Sequence, residues 1–293
     1  MDGILIAARF GLYADLALLM GLPLFWLSMG EKDGDGRRLM LAALAVGGLL
    51  LSVFWLLASV AAMAGTSFAP PDWAMVWMLL GMTPLGWIMG LRVGALALLL
   101  LLLAGRRSIA LSLLPASLAA ATLAWAGHAG ATEGSVGTIH RVADVLHIWA
   151  AAGWFGALLA LLHSVFVRPS QINMASMAAK LARFSMLGSI FVATLLITGA
   201  VNGLMIVGAA NLPKLLGSTY GLLLGAKLLL FAAMLGLAAC NHWWLTPALD
   251  RAVREGTLTS PVAKLRLSLL FEMLAAVAIL MLVAMLGTLD PVA

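Results

Sequence analysis

The chain has 293 residues, 63% of them hydrophobic and only 10% charged, with a formal net charge of +5 and a mean hydropathy of +1.09. This composition excludes a soluble globular domain and reads as an all-α polytopic membrane protein. The lone cysteine, Cys240, excludes an internal disulfide and any all-cysteine metal cluster.

Runs of about 20 apolar residues, each long enough to cross the hydrocarbon as a helix, recur about eight times. The first is roughly Ile4 to Met29. Asp2 precedes it where a signal peptide carries basic residues, and its apolar core is too long for one, so a retained helix is expected. Leu39 to Ala64, Leu85 to Ala104 and Ile109 to Gly127 complete the first half. His140 to Val167, Arg183 to Val207, Tyr220 to Leu245 and Leu265 to Leu289 make up the second. Before the third span of each half lies a short semi-apolar piece, Asp72 to Met78 and Asn211 to Leu216, which reads as an interfacial helix. Glu31 to Gly36 and Asp250 to Ser260 read as ordinary polar turns.

Lys and Arg orient these spans. Lys32, Arg37 and Arg38 follow the first, Arg106 and Arg107 the third, Arg168, Lys180 and Arg183 the fifth, and Arg251, Arg254 and Lys264 the seventh. The alternate connections hold only Lys214. The positive-inside rule then makes the basic connections cytoplasmic and places both termini on the opposite side, the periplasm in a Gram-negative bacterium. The pI of about 9.9 reflects this topology, and no nucleic-acid partner is implied.

The two halves read as a parallel repeat. Arg9 precedes Gly21 by the same interval as Arg141 precedes Gly153, and Gly86-x3-Gly90-x-Arg92 matches Gly221-x3-Gly225-x-Lys227. Four helices per half keep the two copies in one orientation, dividing the chain into 1–127 and 128–293. Close helix approach explains the glycines by themselves. Arg92 and Lys227, about two turns inside the outer end of their helices, each want a partner, and Asp15 and Asp144 lie at comparable depth. Interhelical ion pairs and the steering of ions are both open for them.

Ionisable side chains are scarce, which makes the histidines informative. His140, Asp144 and His147 fall on one face of a helix, with His128 ending the preceding span on the same outer side. Imidazole and carboxylate together can ligate a transition metal, and thioether sulfur from Met75, Met78, Met82 or Met205 would select Cu(I). The alternatives are polar packing for the histidines and gap filling for the methionines. Towards the cytoplasmic side, His163, His242 and Glu272 lie at similar depth and read as an inner ion or proton path, or as interhelical hydrogen bonds. No H-E-x-x-H, Walker loop, nucleophile elbow or Rossmann fingerprint occurs, so no enzyme activity and no ATP-driven pumping is expected.

His140-x3-Asp144-x2-His147 followed by Trp154-Phe155-Gly156 resembles the D-x-x-H…W-x-G signature of the copper resistance protein D family. The likeness continues through Thr198-Gly199-x2-Asn202, Thr219-Tyr220-Gly221, Lys227, Asn241, Pro247 and Glu272, covering roughly 140–291. The first half fits only in length and helix count. The resemblance implies an eight-helix inner-membrane protein that moves copper inward from the periplasm, with a CopC-like periplasmic carrier as a separate partner. It supports Asp144 and His147 as copper ligands better than His128 or His140. Copper would then pass Asp15, Arg92, Lys227 or Glu272 without ATP. Two other readings stay open. One is a haem-bearing electron carrier using His128 with His147 and His163 with His242; the other is a non-transporting assembly or sensing subunit.

Overall fold

The computed structural model describes residues 2–127, 134–166, 171–208, 211–215 and 217–291. The fold is all-α. In chain order it comprises α1 (Asp2–Ser28), α2 (Asp35–Ala64), α3 (Trp73–Met82), α4 (Pro84–Ala104) and α5 (Ile109–Ala121), the last continued by a 3-10 turn, Thr122–Trp125. Then come α6 (Gly134–Phe166), α7 (Gln171–Val207), α8 (Leu212–Leu215) and α9 (Thr219–Cys240). A π-helical segment, Asn241–Leu245, joins α9 to α10 (Thr246–Glu255), and α11 (Thr259–Leu286) ends the fold.

Seven helices among the described residues are long and apolar enough to cross a membrane. Large apolar side chains such as Leu50, Leu101, Met186 and Leu229 stand exposed on them, as a surface solvated by lipid tails requires. The expected span over 109–127 is shorter. It tightens into the 3-10 turn where Thr122 donates its hydroxyl proton to the Ala119 carbonyl (2.6 Å).

The first helix occupies the middle of the bundle, packing on α2, α5, α6 and α11, with Leu12, Leu16 and Leu19 fully buried. Its closest neighbour is α6. A Cβ added at Gly21 would strike the Ala152 carbonyl, and one at Gly156 would strike the Gly21 backbone. Glycine at both positions lets the two helices touch backbone to backbone.

The short outer pieces fold as helices. Asp72 caps α3 by accepting from the Met75 amide (3.0 Å), and Pro84 starts α4 directly after the Thr83 cap. Gly86 lies against the Leu80 carbonyl of α3, and Gly221 lies likewise against the Leu215 carbonyl of α8.

Two stretches read as polar connections are helical instead. α7 begins at Gln171, well before Arg183, because Met174, Met177, Ala178 and Leu181 form an apolar stripe that packs on α10. The seventh span likewise runs on through the π segment into α10, whose Leu249 and Ala252 are buried. Trp243 and Trp244, on the π segment, both face outward. Nor is Glu31 to Gly36 a loose turn. Glu31 pairs with Arg37 and with Lys180 of α7 (2.7 Å), while Asp33 holds Arg38 (3.0 Å) and accepts from the Ile109 amide (3.1 Å).

Candidate functional site

Asp144 and His147 project from α6 onto α7, where Asn202 and Thr198 meet them. Both pairs sit one turn apart, so the antiparallel helices place Asn202 opposite Asp144 and Thr198 opposite His147. The Asn202 amide donates to Asp144 Oδ1 at 2.9 Å. His147 Nδ1 lies 2.9 Å from the Thr198 hydroxyl, and that hydroxyl donates its own proton to the Thr194 carbonyl at 2.6 Å. Thr198 can therefore only accept from His147, which fixes the proton on Nδ1 and leaves the Nε2 lone pair as the free donor for a ligand. Gly199 lies beneath the ring, where an added Cβ would stand 3.5 Å from its Cε1.

Lys227, on α9, completes the group. It lies within electrostatic reach of both Asp144 and His147, yet no direct ion pair joins it to Asp144 among the described residues. The carboxylate thus has one neutral hydrogen-bond donor and a cation at a distance. An arriving metal cation would compete with Lys227 for the same negative charge.

Of the remaining candidates of the outer cluster, His140 does not gather with Asp144 and His147 in metal-holding range. His140 is buried, at 1% exposure, and His128 lies outside the described residues. Among the described residues no three His, Cys, Asp or Glu side chains gather in metal-holding range. Met78 and Met82 are exposed on α3.

In the first half, Arg92 is fully buried. Its Nε donates to Thr122 Oγ1 (2.7 Å), and its guanidinium stacks over Trp55 at 5.4 Å. Asp15 is not its partner. That carboxylate packs against Gly47 and Gly48 of α2, and its Oδ2 makes no hydrogen bond among the described residues. Arg9 bonds the Ala126 carbonyl (3.2 Å) and the Tyr13 hydroxyl (2.9 Å) and packs against Gly287.

On the inner side, Glu272 is buried and accepts from the Asn241 amide. Neither Arg183 nor Arg266 pairs with it: Arg266 donates twice to the Val165 carbonyl (3.0 and 2.9 Å), and Arg183 is exposed. His163 and His242 are both exposed, and His242 Nδ1 meets the Ser185 hydroxyl at 2.9 Å. The sequence marks Thr198, Asn202 and Asn241 only as parts of a family resemblance. Their position as partners of His147, Asp144 and Glu272 is a product of the fold. Their spacing is a usable signal, because Thr198 and Asn202, four residues apart, share a helix face.

Comparison with known proteins extends the resemblance to the whole chain. Residues 1–138 match the family described as copper resistance protein D-like, N-terminal domain, and residues 178–286 match copper resistance protein D. The first half, bare of recognisable motifs, is therefore matched as well. Copper resistance protein D of Pseudomonas syringae pv. tomato is 39% identical over 305 residues, covering 99% of this chain and 97% of that protein. Inner membrane protein YebZ of Escherichia coli K12 is 28% identical over 257 residues, covering 84% of this chain and 87% of that protein. No solved structure matches.

Proposed function

The chain belongs to the copper resistance protein D family, and from that membership we propose that it carries copper across the bacterial inner membrane, from periplasm to cytoplasm, with Asp144 and His147 as the ion's first contacts. The observation that carries this reading is the His147–Thr198–Thr194 relay. A histidine whose Nδ1–H is held by a neighbouring oxygen presents Nε2 with its lone pair free, the arrangement that metal-binding imidazoles use. Imidazole suits either copper oxidation state, and the adjacent carboxylate adds charge.

Lys227 makes the contact reversible. With copper absent, its ammonium offsets the Asp144 carboxylate across the gap. With copper present, like-charge repulsion favours onward movement of the ion. The passage inward runs by Asp15, Arg92 and Glu272, without ATP. The first half contributes the buried carboxylate of Asp15 and the second half that of Glu272.

Both termini face the periplasm in this reading, with 1–127 and 128–293 as parallel halves of four helices, eight in all. Three observations support it: the alternation of basic connections, the shared order of long, long, short and long helices, and the matching seats of Gly86 on Leu80 and Gly221 on Leu215. A separate CopC-like carrier would deliver copper at the outer face. The test is copper accumulation by cells expressing wild type, His147→Ala and Asp144→Ala. Accumulation above background for wild type alone is expected; equal accumulation by all three would remove the pair from the path.

A further inference from the structure

Asn241 opens the π segment, and its carbonyl accepts from the Thr246 amide five residues on. This widened turn points the Asn241 side chain at α11, where its amide nitrogen donates to Glu272. Ser268 lies one turn before Glu272 on the same face of α11. All three are buried: Glu272 at 2% exposure, Ser268 at 6% and Asn241 at 7%. Asn241 Oδ1 and Ser268 Oγ have no hydrogen-bond partner among the described residues. A buried oxygen left unpaired is costly, so Asn241 Oδ1 beside the carboxylate and Ser268 Oγ one helical turn away call for an occupant.

Among the described residues no side-chain cation fills that need. Arg266 is held by the Val165 carbonyl, Lys264 is exposed, and His242 is turned to Ser185. Lys227 stands about 20 Å outward along the α9 axis, beside Asp144. On α6, which packs on α11, His163 is exposed; α1 carries nothing ionisable between Asp15 and Ser28. The ionisable residues of α10 are exposed, and half-buried Cys240 is the nearest thiol in sequence.

We propose that Glu272, Asn241 and Ser268 form an oxygen-lined site for a small monovalent cation, sodium or a proton, and that its occupation is coupled to copper movement. An all-oxygen donor set suits a hard cation and sets this site apart from the imidazole of His147. π turns interrupt helices at functional sites. Here the turn holds Asn241 against Glu272, so relaxing it to regular helix would turn the amide away and open the site. The binding claim stands alone; the coupling claim rests on the copper-transport reading.

Thermal unfolding of the purified full chain, free of copper, decides the binding. Wild type, Glu272→Gln and Ser268→Ala are compared in sodium chloride and choline chloride at equal ionic strength, and across stepped pH. A bound cation stabilises the native state by mass action. If sodium is the occupant, it raises the wild-type Tm by a few degrees, the rise is reduced in Ser268→Ala and it is lost in Glu272→Gln. If the proton is the occupant, sodium is inert and the gap between wild type and Glu272→Gln changes with pH. Parallel responses of all three proteins to sodium and to pH would overturn the site. Copper flux into proteoliposomes then tests coupling: a sodium or pH gradient should speed wild type several-fold and speed Ser268→Ala less. Flux indifferent to both gradients would overturn coupling while leaving copper transport intact. Absence of any wild-type flux would overturn the transport reading and coupling with it, with the site still decided by the unfolding data.

Discussion

His147 Nδ1 sits 2.9 Å from the Thr198 hydroxyl, and because that hydroxyl has already given its proton to Thr194, the contact has only one possible direction. The relay reaches across two helices to select a tautomer. It converts an otherwise ambiguous imidazole into one whose Nε2 carries the lone pair.

Thr198→Val keeps the shape of the residue and removes the acceptor. Copper affinity is expected to fall about 10- to 100-fold, the usual effect of losing a partner that orients a metal-binding histidine. Thr198→Ser restores the hydroxyl and should recover most of it. Copper titration of the purified variants checks this, and wild-type affinity in the valine variant would dissociate the relay from binding.

His147→Ala and Asp144→Ala should each weaken copper binding by at least about tenfold, since in the proposed site each is a direct ligand rather than its support. His163→Ala should bind as wild type does, being exposed about four turns further along the same helix. Equal losses in all three variants would point to general destabilisation instead of a local site.

A side chain at Gly156 must push α1 and α6 apart. Gly156→Leu should cost about 3 kcal/mol or more, the upper end of overpacking penalties, and lower the thermal midpoint in detergent. Gly203→Ala is the matched control: nothing lies within 4 Å of a Cβ there, and alanine in a helix should be neutral or stabilising by about 0.5–1 kcal/mol. Comparable midpoints for the two variants would mean that the helices do not touch at Gly156.

A reporter that folds only in the periplasm, fused after Ala293, should be active, and one that works only in the cytoplasm should be silent. The reverse pattern would invert the bundle and move His147 to the wrong side of the membrane.

The spans were legible because apolar length is a strong signal, and the basic connections were legible because lysine and arginine are so scarce elsewhere. Less legible were the inner extensions over 171–183 and 246–255. Their apolar stripes are narrow, and they are stabilised by packing on each other, a contact between segments far apart in sequence. His140, Asp144 and His147 lie along one helix, where periodicity puts them on one face. Helical periodicity, however, specifies only what shares a face; it does not say what the opposing helix offers. Thr198 and Asn202 meet His147 and Asp144, and His140 is buried one turn before Asp144. Asp15 and Arg92 failed to pair for the same reason: similar depth along two helices does not specify their rotation.

Trp243 and Trp244 stand outward on the same π turn whose first residue reaches inward to Glu272. Indole rings settle at the boundary between hydrocarbon and headgroups, so this turn is anchored to the bilayer on one side and to a buried carboxylate on the other. A change of a few ångströms in hydrocarbon thickness is accommodated by tilt or by displacement of such anchors. Any such displacement would bear directly on the Asn241–Glu272 contact, since the indole anchors and Asn241 are carried by one turn.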